Sequence, residues 1–220
     1  ALGANLDASA GLDFSSVDLS ALKENLDPSL ALYADLLRAP RFDQAEIDRV
    51  KASWIAGIAQ EKANPSASAM RVLPPLLYGK GHPYAIPFTG SGDEAAIAQL
   101  TREELVDFHR DWLRPEAGTL IVVGDTTLKQ LLPLLERHLG DWTSDGPAPT
   151  VKAATPVALP QAPRVYLIDQ PGAVQANLFA GQVVPSSVDA GSTRFDIANG
   201  VLGGDFTSRL NMNLREDKHW

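Results

Sequence analysis

The stretch Gly203-Gly204-Asp205-Phe206-Thr207-Ser208-Arg209-Leu210-Asn211-Met212-Asn213-Leu214-Arg215-Glu216-Asp217-Lys218-His219-Trp220 says more about the fold than any other part of the chain. Its paired glycines let two helices meet at a sharp turn, where side chains would obstruct. No G-x-x-x-x-G-K spacing follows them, so the pair does not read as a phosphate loop. A terminal helix is expected from Phe206. On its own residues, Arg215 reads as an exposed helical Arg paired with Glu216 or Asp217.

Working back from that stretch, Asp189 is expected to cap a helix running to about Leu202. Residues 164–169 and 174–184 read as two strands around the turn Gln170-Pro171-Gly172. Residues 144–163 change character, with Pro147, Pro149, Pro156, Pro160 and Pro163 set among Ala, Thr and Val. Such a composition predicts an extended linker. The expected organisation is one unit over 1–145, a Pro-rich linker over 146–163 and the beginning of a second unit over 164–220. The second piece is too small to close a core alone, and its strands would leave an apolar face and open edges.

The first unit opens on alternation at Leu12, Phe14, Val17 and Leu19, a half-buried strand whose hairpin partner is residues 3–9. Asp27-Pro28 predicts a helix start that buries Leu30, Tyr33, Ala34, Leu36 and Leu37 and ends at Pro40. A second helix is expected from Asp43 to about Lys62, with Ile47, Val50, Trp54, Ile55 and Ile58 at helical spacing. A third starts at Asn64-Pro65 and is expected to end near Pro74-Pro75. Residues 79–92 read as loop. Thr101-Arg-Glu-Glu104 is a capping box opening a helix through Leu113, with Leu105, Phe108 and Trp112 inward. Thr119–Val123 reads as a short strand, and Thr127 to Leu139 as a helix disturbed by Pro133.

Composition narrows the function classes. The chain has 220 residues, a net charge of −8 and no cysteine. The charge excludes a basic nucleic-acid footprint. The missing cysteines exclude disulfides, thiolate catalysis and Cys-type metal sites. No run approaches the roughly 18 apolar residues of a membrane span. The sequence from Ala1 to Asn5 lacks the basic start of a signal peptide, so an upstream targeting segment is expected to precede it if the protein is exported.

The run GGDFTSRLNMNLRE at 203–216 resembles a helix-starting signature of the pitrilysin/insulinase superfamily, zinc peptidases with an inverted His-x-x-Glu-His motif. The likeness extends over nearly the whole chain. Residues 1–22 resemble the paired strands after that family's zinc-binding helix. Tyr33-Ala-Asp-Leu-Leu-Arg-Ala-Pro-Arg-Phe-Asp-Gln-Ala-Glu-Ile-Asp-Arg49 is similar to its helical pair, and Gly81-His-Pro-Tyr84 with Gly90 to its "HPY…G" connection. Leu105 to Pro115 and Leu120 to Asp125 match its "F…Y.RP…L.VVGD" segment.

The resemblance implies an α+β protein of repeated αβ units, each a mostly antiparallel sheet faced by helices. It also implies that the first unit starts before Ala1 and that the second continues beyond Trp220. The zinc of such an assembly is not expected on this chain. His82, His109, His138 and His219 are isolated, whereas zinc binding needs two His one helical turn apart. The distal Glu ligand of the family aligns with Ala59, and Glu61 lies two positions on, about 200° around a helix. In the family, the strand matching Asp7-Ala8 reads Asn-Ala and pairs with an extended substrate. Asp7 and Ala8 are therefore candidate substrate contacts through their backbone. The resemblance makes Arg215 a third, half of an Arg–Tyr pair whose Tyr would fall beyond Trp220.

The function these resemblances imply is that of part of a zinc-dependent peptidase. This chain would be the non-zinc half, walling the chamber and helping to bind peptide or unfolded protein. Its partner would be a zinc-bearing half or subunit, in a dimer or tandem pseudo-dimer. The alternative is a non-catalytic scaffold, or core-type, subunit of the same fold. Relatives suggest a periplasmic or membrane-associated location.

Overall fold

A computed structural model describes residues 2–150 and 154–219. Residues 151–153, inside the expected linker, and Trp220 lie outside the described residues. The described chain divides into two compact units. One runs to Pro156 and includes Val165–Phe179; the other comprises Val157–Arg164 and the chain from Ala180 onward.

The first unit begins with the expected hairpin. Strand β1 (Asn5–Ala10) pairs antiparallel with β2 (Ser15–Ser20) in the register Asn5↔Ser20 to Ala10↔Ser15. The Gly11 N–H closes the turn on the Phe14 carbonyl at 2.8 Å. Next comes a 3₁₀ turn, Lys23–Asn25, then α1 (Leu26–Arg38). The helix starts one residue before the expected Asp27 cap. Asp27 lies in the first turn instead, and its carboxylate accepts from Arg137 at 2.8 Å and His138 at 2.7 Å. The His138 hydrogen bond, then the nearby Arg137 charge, lower its carboxyl against the opposing effect of burial.

Helix α2 (Gln44–Ala63) follows, capped by Asp43, whose side chain accepts from the Ala45 N–H. Ile47 and Ile58 are buried as expected, but Val50 and Trp54 are half exposed. Helix α3 (Pro65–Tyr78) continues through Pro74 and Pro75. The expected stop fails because a donor arrives from outside the helix. Pro74 leaves the Met70 carbonyl without its helical donor, and the Phe88 N–H supplies one at 3.1 Å.

A short helix absent from the sequence reading, α4 (Glu94–Gln99), is capped by Asp93 accepting from Ala95 and Ala96. Helix α5 (Arg102–Trp112) has its capping box complete. Phe108 and Trp112 do not point inward as expected. They stack on each other, 6.2 Å between centroids, and stay about half exposed. Helix α6 (Leu128–Leu139), capped by Thr127, contains Pro133.

The core is small and helical. Leu30, Tyr33, Ala34 and Leu37 of α1, Ile47 and Ile58 of α2 and Leu131 of α6 are buried. Helix α1 packs on α6 and β2, and α2 packs on α3 and α4. Tyr33 ties α1 to β2 by donating to the Val17 carbonyl at 3.2 Å.

The strands expected at 119–123, 164–169 and 174–184 do not form ladders. A strand satisfies its backbone only through a neighbour, and among the described residues the one sheet is β1–β2. Ile121 (81% exposed) and Val123 (93%) consequently face solvent. The turn at Gln170–Ala173 is present, closed at 3.2 Å with Gly172 at φ 82°.

In the second unit, α7 (Ser192–Asn199) leads into a wide-turned segment, Gly200–Gly204, and then α8 (Arg209–Asn211) with a second wide segment, Met212–Asp217. Asp189 does not cap α7 directly; it accepts from the Gly191 N–H at 2.7 Å. The last helix starts at Arg209, because the Ser208 hydroxyl caps the Asn211 N–H. Among the described residues no helix is long and apolar enough to cross a membrane.

Candidate functional site

Asp7 and Ala8 stand side by side on β1, both exposed. Their partners across the hairpin are Asp18 and Val17. The other edge of β1 carries no strand among the described residues. An edge of this kind offers N–H and C=O groups to an extended segment, whatever side chain it bears. Asp7 faces Asp18 directly, and such like-charge pairs weaken a hairpin.

Arg215 belongs to the other compact unit, in the wide segment after α8. Its guanidinium lies over the Phe206 ring, 4.7 Å from the centroid. Its Nε is 3.8 Å from a Glu216 carboxylate oxygen. Phe206 is itself restrained, because the Asn211 side chain donates to its carbonyl. The aromatic face orients a cation that would otherwise sweep freely. Sequence reading singled out Arg215 and missed Phe206, whose only signal was its place nine residues upstream in the same motif.

The histidines are separate. The His82 ring accepts from the Tyr84 N–H at 3.1 Å and contacts the Thr155 carbonyl at 3.0 Å. His109 reaches the Leu37 carbonyl at 2.8 Å, and His138 holds Asp27. Among the described residues, no group of three or more His, Asp or Glu side chains is placed to hold a metal ion. The zinc of the pitrilysin/insulinase pattern therefore does not fit the residues present.

The nearest acid to the Ala59 position, Glu61, is engaged in a cluster that sequence reading missed. Its Oε2 accepts from Arg71 and Ser91, both at 2.7 Å, and from Thr89 at 3.3 Å. Burial pushes the Glu61 carboxyl up, but these hydrogen bonds and the Arg71 charge outweigh it and lower it overall. Arg71 also donates to the Ser91 hydroxyl and, at 2.7 Å, to the Gly92 carbonyl. The partners lie ten to thirty residues apart, so no local pattern announces them.

Comparison with known proteins bears on the family and the fold. A family model of the peptidase M16 inactive domain matches residues 99–220. The chain is 24% identical over 220 residues to the uncharacterized zinc protease YmxG of Bacillus subtilis (strain 168), covering 99% of this chain and 51% of that protein. It superposes on the crystal structure of a peptidase M16 inactive domain from Pseudomonas fluorescens with a TM-score of 0.76 at 25% identity, covering 99% of this chain and 52% of that one. A protease from Helicobacter pylori shares the fold at 20% identity, with a TM-score of 0.68 and coverage of 99% and 52%. The chain thus spans about half the length of these relatives. With more than half its length matched by that family model, the chain belongs to the peptidase M16 inactive-domain family.

Proposed function

We propose that this chain serves as the non-zinc half of a zinc-dependent peptidase of the pitrilysin/insulinase type, walling the chamber and helping to bind peptide substrate. The observation that carries the reading is the match to an inactive domain, joined to Ala59 where the family's distal ligand would stand. In this proposal the metal and its activated water belong to a zinc-bearing half, in a dimer or tandem pseudo-dimer. This chain's own residues bind and orient. The free edge of β1 at Asp7 and Ala8 pairs with an extended peptide, and Arg215, aimed by Phe206, donates to a substrate carbonyl. The division into a unit over 1–145, a linker over 146–163 and a second unit from 164, and a periplasmic location, belong to the same proposal.

The test uses the whole protein together with its zinc-bearing half. Arg215→Ala is expected to lower peptide cleavage roughly ten-fold or more, the worth of a charge-assisted hydrogen bond. Zinc content and thermal midpoint should stay unchanged. Cleavage equal to the parent would remove Arg215 from the substrate site. Absence of cleavage in the unmodified assembly would favour the scaffold reading instead.

A further inference from the structure

Helix α2 places Val50, Trp54, Gly57 and Glu61 at spacings of four, three and four residues, which aligns them along one face. The loop bearing Thr89 and Ser91 stands opposite, and a cleft of about 390 Å³ lies between. Three features of this cleft are unusual for a plain helix surface.

Trp54 is 50% exposed yet held, because its indole N–H donates to the Ser91 carbonyl at 2.8 Å. The ring therefore presents an apolar face that costs little further entropy to cover. Gly57 keeps the floor open beside it, and a Cβ at that position would meet nothing within 4 Å. Glu61 ends the row. Its Oε2 takes donors from Arg71, Ser91 and Thr89, whereas its Oε1 has no hydrogen-bond partner among the described residues. A carboxylate accepts about four hydrogen bonds, so one oxygen retains capacity. The Glu61 side chain is 25% exposed and lines the cleft.

The charges nearby select the sign of the ligand. Arg49, at the rim, is turned to Glu46, with Nε 2.9 Å from the carboxylate. Arg71 points its donors at Glu61, Ser91 and Gly92. Both guanidiniums are thus engaged by carboxylates, and the acceptor still available, on Glu61, suits a cationic donor better than an anion. Trp54 and Glu61 are seven residues apart, about 10 Å along the axis. That span suits a long side chain with an apolar stem and a charged end.

We propose that this cleft binds a basic side chain of an extended peptide, the aliphatic stem of Arg or Lys lying across Trp54 and Gly57 and the charged head donating to Glu61 Oε1. The inference deepens the peptide-binding reading above and rests on it for the source of the ligand. Binding rather than cleavage is measured, so the two can fail separately.

The experiment titrates the whole protein into a fluorescently labelled dodecapeptide of Ala, Gly and Ser carrying one central Arg. The control is the same peptide with citrulline, which keeps the shape and loses the charge. Fluorescence anisotropy should show the Arg peptide binding about ten-fold more tightly than the citrulline peptide, as expected for one charge-assisted contact. Glu61→Gln should abolish that preference. Gly57→Leu, which adds bulk where the structure is open, should weaken both peptides to a similar degree while the thermal midpoint is maintained. If Glu61→Gln fails to fold, Gly57→Leu still decides. Equal affinity of the parent for the two peptides, no binding of the Arg peptide, or undiminished binding by Gly57→Leu would each overturn the proposal.

Discussion

The two compact units are held by different means. The first buries Leu30, Tyr33, Leu37, Ile47, Ile58 and Leu131 from three helices, and apolar burial supplies its cohesion. In the second, Ser208 is the only buried residue among those described, while Val201, Leu202 and Phe206 stay exposed. Its order comes from caps and turns, such as the Ser208 cap and the Asp205 N–H closing on the Gly200 carbonyl at 3.2 Å. Local hydrogen bonds define a backbone path but contribute little net stability. Matched substitutions should expose the contrast. Ile58→Ala, at a side chain 1% exposed, is expected to cost about 2–5 kcal/mol in urea denaturation. Ile197→Ala, at 65% exposure, should cost no more than about 0.5 kcal/mol. Equal effects would mean that the second unit owns a core after all.

A smaller effect sharpens the same contrast at the rim of the first unit. Arg114 is buried just after α5, and its planar fork serves three acceptors. Nε donates to Glu116 at 2.6 Å, and the two terminal nitrogens to the carbonyls of Asp145 and Gly146 at 3.0 and 2.7 Å. Arg114→Ala strands those acceptors and should cost about 2–3 kcal/mol. Limited proteolysis near Gly146 should accelerate. Arg114→Lys should recover only part, because an ammonium cannot reproduce the fork.

How far the sequence was legible follows from the reach of each signal. The helix starts at Asp43 and near Thr127 and the Thr101–Glu104 box were read correctly, since the side chains that cap those starts act within three residues. So was the hairpin, whose alternation and turn are contiguous. Burial along α2 was only half legible: Ile47 and Ile58 are inside, but nothing in their spacing shows that Trp54 opens onto a cleft. Helix α3 defeats the proline rule because a donor from Phe88, outside the helix, rescues the Met70 carbonyl. The apolar run at 119–123 has strand composition, yet a ladder depends on a partner that composition cannot supply. In the candidate site, Arg215 was visible through its motif. The Glu61 cluster was not, since Arg71 and Ser91 approach it only through the tertiary fold.

The finest test concerns acid. The carboxylates whose values are lowered, including Asp27, Glu61, Glu104 and Glu116, lie in the first unit. Glu116 is held at about 2, against an ordinary 4.5, first by the Ser144 hydroxyl, then by its own backbone N–H and by Arg114. The Ser144 hydroxyl lies 2.6 and 2.7 Å from its two oxygens. A folded value below the unfolded one means that the unfolded chain takes up the proton more readily. The stabilisation is therefore complete above about pH 4.5 and is lost as pH falls towards about 2. Glu116→Gln should flatten the decline of the urea midpoint in that window and leave the neutral-pH slope alone. Because Glu116 lies at the surface, added salt should shrink the difference between the two curves. The other lowered carboxylates act equally in both proteins and cancel when one curve is subtracted from the other. A difference that persisted unchanged from neutral pH to pH 2 would assign the Ser144–Glu116–Arg114 contact to shape rather than to charge.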